Sequence, residues 1–135
     1  MPPVPTASAA PAAPAAPFFS PSRQEGELVF VSGQMAFDAD GRIEGDDVDH
    51  QTGHCLARID AILRARGLGL ADVVKATVWL TRVDDFAAFN RSYAATFSAL
   101  ACPAPARSTV RADLMVPGAL VEIEAIARCH RSISS

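Results

Sequence analysis

The chain has 135 residues, half of them hydrophobic, and a formal net charge of −3. That length suits one domain with a proper hydrophobic core. The acidic balance and the lack of any basic run argue against a nucleic-acid partner, because nucleic-acid binders usually carry a basic stripe. No apolar run reaches the roughly 18 residues that a membrane span needs.

The first 17 residues, "MPPVPTASAAPAAPAAP", consist almost only of Ala, Pro, Ser and Thr. Repeated proline prevents a helix, and little in this segment could offset the entropy of ordering it. The segment also lacks the basic start and leucine-rich middle of a signal peptide. The sequence therefore predicts a disordered tail over residues 1–17 and a folded domain over residues 18–131.

Two strands are predicted next. A short first strand is expected over residues 18–22, and "GELVFVSGQM" predicts the second. Leu28 and Phe30 lie on one face of the second strand, and Val29 and Val31 on the other. A strand that is apolar on both faces is buried on both. In a domain this small we expect helices to cover one face and a partner subunit to cover the other.

The middle of the chain predicts a helix, a strand and a second helix. The spacing of three and four predicts a helix over Val48 to Arg66, and Gly67 supplies a stop signal. The strand "DVVKATVWL" has one apolar face, formed by Val74, Ala76, Val78 and Leu80. Asp84 or Asp85 is expected to cap the second helix, and Pro103 to end it. That helix has an aromatic and apolar stripe expected to be core: Phe86, Phe89, Tyr93, Phe97 and Leu100.

"ARSTVRADL" and "ALVEIEAIA" predict the last two strands, joined through "MVPG". The order is then β-β-α-β-α-β-β, an α+β fold with two helices packed on one face of a mixed sheet. If the last two strands form a hairpin, Glu122 lies near Arg111.

Arg107 in "PAPARSTV" is the first candidate for chemistry. A guanidinium is planar and always charged, and it matches a carboxylate with two parallel hydrogen bonds. Pro103 and Pro105 limit the backbone before it, so its position is partly preset. By strand alternation Thr109 shares its face. Either Arg107 binds a small carboxylate or it forms a surface ion pair.

Glu122 and Glu124 point to the same face of the last strand. Carboxylates inside an otherwise apolar strand need water, a cation or a proton. One of them either activates a water or forms a cross-strand ion pair. Gly33, in "SGQ" at the end of the second strand, either permits close approach by a ligand or marks a bulge.

His50 and His54 are four residues apart, one helical turn, but they lie opposite the apolar stripe and so on the solvent face. We therefore expect no metal site. The cysteines, Cys55, Cys102 and Cys129, are odd in number and widely spaced, unlike a disulfide scaffold or a zinc ribbon. This favours a reducing, cytoplasmic compartment.

Together, "LVFVSGQM", "ADVVKATVWLTRVDDFAAFNRSY", "PARSTV" and "PGALVEIEAIA" resemble the RidA (YjgF) family of reactive-intermediate deaminases. The resemblance implies a chorismate-mutase-like fold, a homotrimer built as a trimeric barrel, and sites in clefts between subunits. It also implies hydrolysis of reactive 2-imino acids, such as 2-iminopropanoate and 2-iminobutanoate, to 2-keto acids and ammonia, without metal or cofactor.

Carried over residue by residue, the resemblance makes Arg107 the ligand of the substrate carboxylate and Glu122 the acid that positions the attacking water. Gly33 becomes a backbone contact to the substrate, and Asn90 lines the site. Thr109 stands where some members have cysteine.

One segment departs from the family pattern. Family members often have "GPYSQA", whose tyrosine enters the site, whereas this chain has "APFFSPS", with Phe18 or Phe19 in that place. A phenylalanine stacks but donates no hydrogen bond. This leaves two alternatives open: a trimeric binding or regulatory protein for a small carboxylate, or an enzyme for a different, aminoacrylate-type substrate.

Overall fold

The computed structural model describes residues 18–130. Within them the elements follow the predicted order: β1 (Ser22–Glu25), β2 (Leu28–Gln34), α1 (Val48–Arg64), β3 (Val73–Leu80), α2 (Phe86–Ser98), β4 (Ala106–Arg111) and β5 (Val121–Arg128). Short 3-10 turns precede β3 and α2. The expected tail, residues 1–17, and residue 131 lie outside the described residues, so the domain boundaries stay a prediction.

The five strands form one mixed sheet in the order β1-β2-β5-β3-β4. All neighbours are antiparallel except β3 and β4, which are parallel and joined through α2. The last two strands therefore do not form the hairpin on which the proximity of Glu122 and Arg111 depended. β3 lies between β4 and β5, which separates Arg111 from Glu122.

Both helices pack on the same sheet, as predicted, and the core lies between them and it. On this helix-covered face the side chains of β2, β3 and β5 are buried: Val29, Val31, Ala76, Val78, Leu80, Val121, Ile123, Ala125 and Ala127. The opposite, helix-free face includes Leu28 and Phe30, which stay 37% and 42% exposed. That a partner subunit covers this face remains a prediction.

The first strand begins later than predicted, at Ser22 rather than Phe18. The preceding residues are instead tied to β2 by Ser32, whose hydroxyl donates to the Ser20 carbonyl oxygen and whose amide donates to that of Pro21. Gly26, at φ +60°, makes the tight turn between β1 and β2.

α1 ends at Arg64, two residues before the predicted end, and Gly67 at φ +78° turns the chain as expected of a stop signal. β3 buries Ala76, Val78 and Leu80 as predicted, but its start is different. Val73 is buried and Val74 is exposed, because the ladder to β5 shifts register between Val73 and Lys75. Such a shift moves the residues before it to the other face.

α2 buries Phe89, Tyr93 and Phe97 as predicted, whereas Phe86 is 43% exposed. Asp85 is the N-cap residue but makes no side-chain bond to the helix, because its carboxylate pairs with Arg82 at 3.0 Å. The helix ends at Ser98, before Pro103, through a turn in which Ala101 has φ +52°. Within residues 18–130, no helix is long and apolar enough to cross a membrane.

Candidate functional site

Arg107 lies on the edge strand β4 and points towards the helix layer. Its partner across the parallel ladder is Ala76, a buried residue of the helix-covered face. The guanidinium carbon lies 5.0 Å from the ring centre of Phe89 and 4.7 Å from that of Tyr93. Nη2 donates a 2.7 Å hydrogen bond to Oδ1 of Asn90. Three residues of α2 therefore hold this arginine, through cation–π contacts and one charge-assisted bond.

This arrangement fixes the direction of the guanidinium and leaves donors unused. Within residues 18–130, Asn90 is the one hydrogen-bond partner of the Arg107 side chain. A guanidinium has five N–H donors, so several can bind an anion. The predicted site residues Arg107 and Asn90 are thus in direct contact.

A cleft of about 510 Å³ adjoins Arg107, between the C-terminal half of α2 and the segment that leads into β4. Its walls include Tyr93, Phe97, Cys102 and Pro105. Arg107 contributes a positive charge to this largely apolar cleft, which suits a small ligand with a carboxylate.

The side chain of Thr109 lies on the same face of the sheet as that of Arg107 but lines a different pocket. Its ladder partner is Val78, a buried residue of the helix-covered face. The pocket, about 160 Å³, is also lined by Leu80, Phe86 and Arg111. Within one protomer the structure therefore separates Thr109 from the Arg107 cleft.

Glu122 and Gly33 meet on the helix-free face. The β2–β5 ladder shifts register between Val31 and Gln34, so Gly33 lies in a bulge. A Cβ atom at Gly33 would overlap Oε2 of Glu122 and would lie 3.0 Å from its Cδ. Only glycine fits there without displacing the carboxylate. The bulge at Gly33 is therefore confirmed, and close approach by a ligand stays a prediction.

Burial raises the pKa of Glu122, and the negative charge of Glu124 raises it further. A carboxylate with a raised pKa is a stronger base once ionised. A cross-strand ion pair was one alternative for Glu122 or Glu124, and within residues 18–130 no salt bridge involves either of them.

The sheet separates the two candidate catalytic residues within one protomer. Across β3, Arg107 pairs with Ala76 and Glu122 pairs with Trp79. Ala76 and Trp79 are three residues apart in one strand, so their side chains point to opposite faces. A single site that uses both residues therefore needs more than one protomer.

Phe18 and Phe19 are exposed. The residues that follow them are tied to Ser32, the neighbour of Gly33, with the Ser32 hydroxyl 2.6 Å from the Ser20 carbonyl oxygen. The phenylalanines thus directly precede a segment that is held beside the neighbour of Gly33.

The histidines form no metal centre in the described part of the chain, where no group of three potential metal ligands occurs. His50 is exposed as predicted. His54 is only partly so, since its Nε2 lies 2.7 Å from the Phe37 carbonyl oxygen. Both rings lie beside the Glu44 carboxylate, at 3.5 and 3.9 Å.

The three cysteines, Cys55, Cys102 and Cys129, are free. Burial raises the pKa of the Cys55 thiol to about 12, so it stays protonated and unreactive.

Sequence reasoning missed a polar stripe on the buried side of α1. Gln51 is fully buried; its amide donates to the carbonyl oxygens of Gly45 and Gly118 and accepts from the Leu120 amide, at 2.8 to 3.0 Å. Arg58, seven residues later, bonds Gln34. The sequence contained a signal for this stripe, because Gln51 and Arg58 are seven residues apart and so lie on one face of the helix. Leu120 is two residues before Glu122, and Gln34 follows Gly33. Side chains of α1 therefore bond the chain close to both of these candidate site residues.

The structure defines a small α+β protein with a chorismate-mutase-like layer, in which an arginine with unused hydrogen-bond donors lies on the edge strand of the sheet. The chain belongs to the endoribonuclease L-PSP family, also called the YjgF/RidA family, whose model matches residues 8–129.

Relatives support this membership over most of their length. The RutC family protein y4sK of Sinorhizobium fredii is 41% identical and shares 80% of this chain and 84% of its own. The 2-iminobutanoate/2-iminopropanoate deaminase of Salmonella typhimurium is 37% identical over 76% of this chain and 80% of its own. Among solved structures, Escherichia coli TdcF with bound serine has a TM-score of 0.78 at 34% identity, covering 87% of this chain and 91% of that one.

Proposed function

We propose that this protein hydrolyses small 2-imino acids, such as 2-iminopropanoate and 2-iminobutanoate, to 2-keto acids and ammonia in the cytoplasm. The observation that carries the proposal is the Arg107 guanidinium, held by Asn90 and two aromatic rings with donors left for a carboxylate. The Salmonella relative named as a deaminase supports the reaction. The relative with bound serine supports a small amino-acid-like ligand.

The site is completed between protomers of a homotrimer. Arg107 and Glu122 lie on opposite faces of the sheet, and one small substrate cannot reach both within a protomer. The half-exposed apolar residues of the helix-free face also favour cover by another copy. In the trimer, Arg107 of one protomer faces Glu122 and Gly33 of its neighbour.

Arg107 binds the carboxylate of the imino acid, and Asn90 keeps the guanidinium in place. Glu122 accepts a proton from a water as that water adds to the imine carbon. The protonated Glu122 gives that proton to the nitrogen of the resulting carbinolamine. The C–N bond then breaks as the C=O bond forms, ammonia leaves, and the hydroxyl proton returns to the Glu122 carboxylate. A protonated imine is a strong electrophile, so this chemistry needs orientation and a general base, with no metal or cofactor.

The remaining proposed site residues contribute to substrate binding. The Gly33 backbone contacts the substrate beside the Glu122 carboxylate, and Phe18 or Phe19 stacks over it from the segment attached to Ser32. Thr109 lies outside the Arg107 cleft of its own protomer, so its contact with substrate depends on the assembled trimer.

A second candidate is a trimeric protein that binds a small carboxylate without turnover, or one that turns over a different aminoacrylate-type substrate. The phenylalanine pair at Phe18–Phe19 favours it, because phenylalanine supplies no hydroxyl to the site. The name of the family model refers to RNA cleavage, but the net charge of −3 disfavours an RNA substrate.

A coupled assay tests the proposal. A threonine dehydratase generates 2-iminobutanoate, and semicarbazide traps whatever imine survives. Wild type should reduce trapping, and Arg107→Ala should abolish this effect while the trimer stays intact by size-exclusion chromatography with light scattering. Arg91→Ala, which removes a charge from the exposed surface of α2 next to Asn90, is the control and should behave as wild type.

No effect from wild type would favour the second candidate, and full activity in Arg107→Ala would refute the assigned role of the arginine. Loss of the trimer in that variant would make Arg107 an assembly residue.

A further inference from the structure

A chain of side-chain hydrogen bonds runs from α1 to the bulge that contains Gly33. Arg58 Nε donates to Gln34 Oε1 at 3.1 Å, and Gln34 Nε2 donates to the Ser32 carbonyl oxygen at 3.0 Å. Gln34 is only 6% exposed. The oxygen and the nitrogen of its amide are therefore both hydrogen-bonded in a place with little solvent, where such bonds are stronger than in water.

Arg58 is itself fixed in place. Its Nη1 donates to the Phe37 carbonyl oxygen at 3.3 Å, and its guanidinium carbon lies 5.5 Å from the centre of the Phe37 ring. The arginine thus links α1 to Gln34, the last residue of β2, and to Phe37, three residues further along the chain. An arginine suits this position because its planar fork can bond two acceptors at once.

The Ser32 carbonyl belongs to the peptide that supplies the Gly33 N–H. That peptide is trans, as all are in the described residues, so its C=O and N–H point in opposite directions. Gln34 pairs with Ile123 on the buried, helix-covered side. Because Gln34 bonds the Ser32 oxygen, the Gly33 N–H of the same peptide points away from the Gln34 amide. The Glu122 carboxylate lies against Gly33 on the helix-free face.

We infer that Arg58, acting through Gln34, is a positioning residue that sets the direction of the Gly33 N–H towards the substrate. This inference rests on the proposed function for its kinetic consequence, but the hydrogen-bond relay itself does not. Glycine has the widest backbone freedom of any residue, and in a bulge it lacks regular ladder support. A peptide there needs such an external constraint to present one orientation.

Two variants interrupt the relay at different points. Arg58→Met keeps an unbranched side chain and removes the guanidinium. Gln34→Glu keeps an acceptor for Arg58, so the buried contact and the fold are retained, but it cannot donate to the Ser32 oxygen. Arg64→Met is the matched control, because Arg64 is an exposed arginine of the same helix that pairs with Asp60.

The first measurement needs no substrate: the ¹H–¹⁵N resonance of the Gly33 amide in the full-length protein. It should move in Arg58→Met and in Gln34→Glu and stay in place in Arg64→Met. The second measurement is kcat/KM in the imine-trapping assay, which should fall about tenfold in both relay variants at unchanged trimer content, about 1.4 kcal/mol of transition-state stabilisation.

An unmoved Gly33 resonance in both variants would overturn the inference. So would a moved resonance with wild-type kcat/KM, since the orientation would then not matter to the reaction. If wild type itself shows no deaminase activity, the proposed function fails, and the Gly33 resonance alone decides whether Arg58 and Gln34 set that peptide.

Discussion

Asn90→Asp separates the role of Asn90 in the fold from its role in binding. The change places a carboxylate where Asn90 Oδ1 now accepts a 2.7 Å bond from Arg107. Arg107 stays held, since an ionised acceptor strengthens such a bond. The guanidinium, however, already has a negative partner when the substrate carboxylate arrives. Stability and activity should therefore respond in opposite directions.

The magnitude follows from the two carboxylates on one guanidinium. At a separation of about 5 Å they repel by about 3 kcal/mol at an effective dielectric constant near 20, and by about 0.8 kcal/mol in bulk water. Arg107 is partly buried beside the rings of Phe89 and Tyr93, so a middle value of about 2 kcal/mol applies, or roughly a 30-fold loss in kcat/KM.

The assay measures kcat/KM by imine trapping and Tm by thermal denaturation, for Asn90→Asp and Asn90→Ala. Asn90→Ala removes the bond without adding charge, so it should lower both quantities. Asn90→Asp should lower kcat/KM further while Tm stays at or above that of wild type. Added salt should partly restore Asn90→Asp, because screening weakens the repulsion. Wild-type kcat/KM in Asn90→Asp, or a lowered Tm, would refute the reasoning.

Three further predictions concern Glu122 and Gly33, which meet on the helix-free face. Burial and the charge of Glu124 raise the pKa of Glu122, so kcat/KM should rise with pH around a midpoint above the ordinary glutamate pKa. Glu124→Gln should move this midpoint to lower pH. An unchanged midpoint would contradict an effect of Glu124 on the Glu122 pKa. Wild type should lose stability as pH rises from the ordinary glutamate pKa to this raised value, because Glu122 ionises more readily in the unfolded chain. Over that range Glu122→Gln should gain stability relative to wild type in urea. Gly33→Ala should reduce activity strongly, because its methyl group overlaps the Glu122 carboxylate. The control is Gly53→Ala, because a methyl group there has open space on α1; it should gain about 0.5–1 kcal/mol of stability. Equal activity in the two alanine variants would contradict a role for the close contact between Gly33 and Glu122.

The sequence by itself determined the order of the elements and most of their buried faces. Local periodicity suffices for this, since the stripe of α2 and the alternation of β3 depend on neighbours a few residues away. It also indicated Arg107, because the prolines before it and the charge of its side chain are local properties. Where a local pattern was interrupted, the prediction failed: the bulge that exposes Val74 depends on the pairing of β3 with β5, a strand distant in sequence.

Only the tertiary structure decided which strands are neighbours, and this determines the site. The insertion of β3 between β4 and β5 excludes the Arg111–Glu122 pair and puts Arg107 and Glu122 on opposite faces. The contact of Gly33 with Glu122 joins residues from two strands distant in sequence. Strand pairing is set by the total burial that the whole sheet achieves, so no local pattern reveals it.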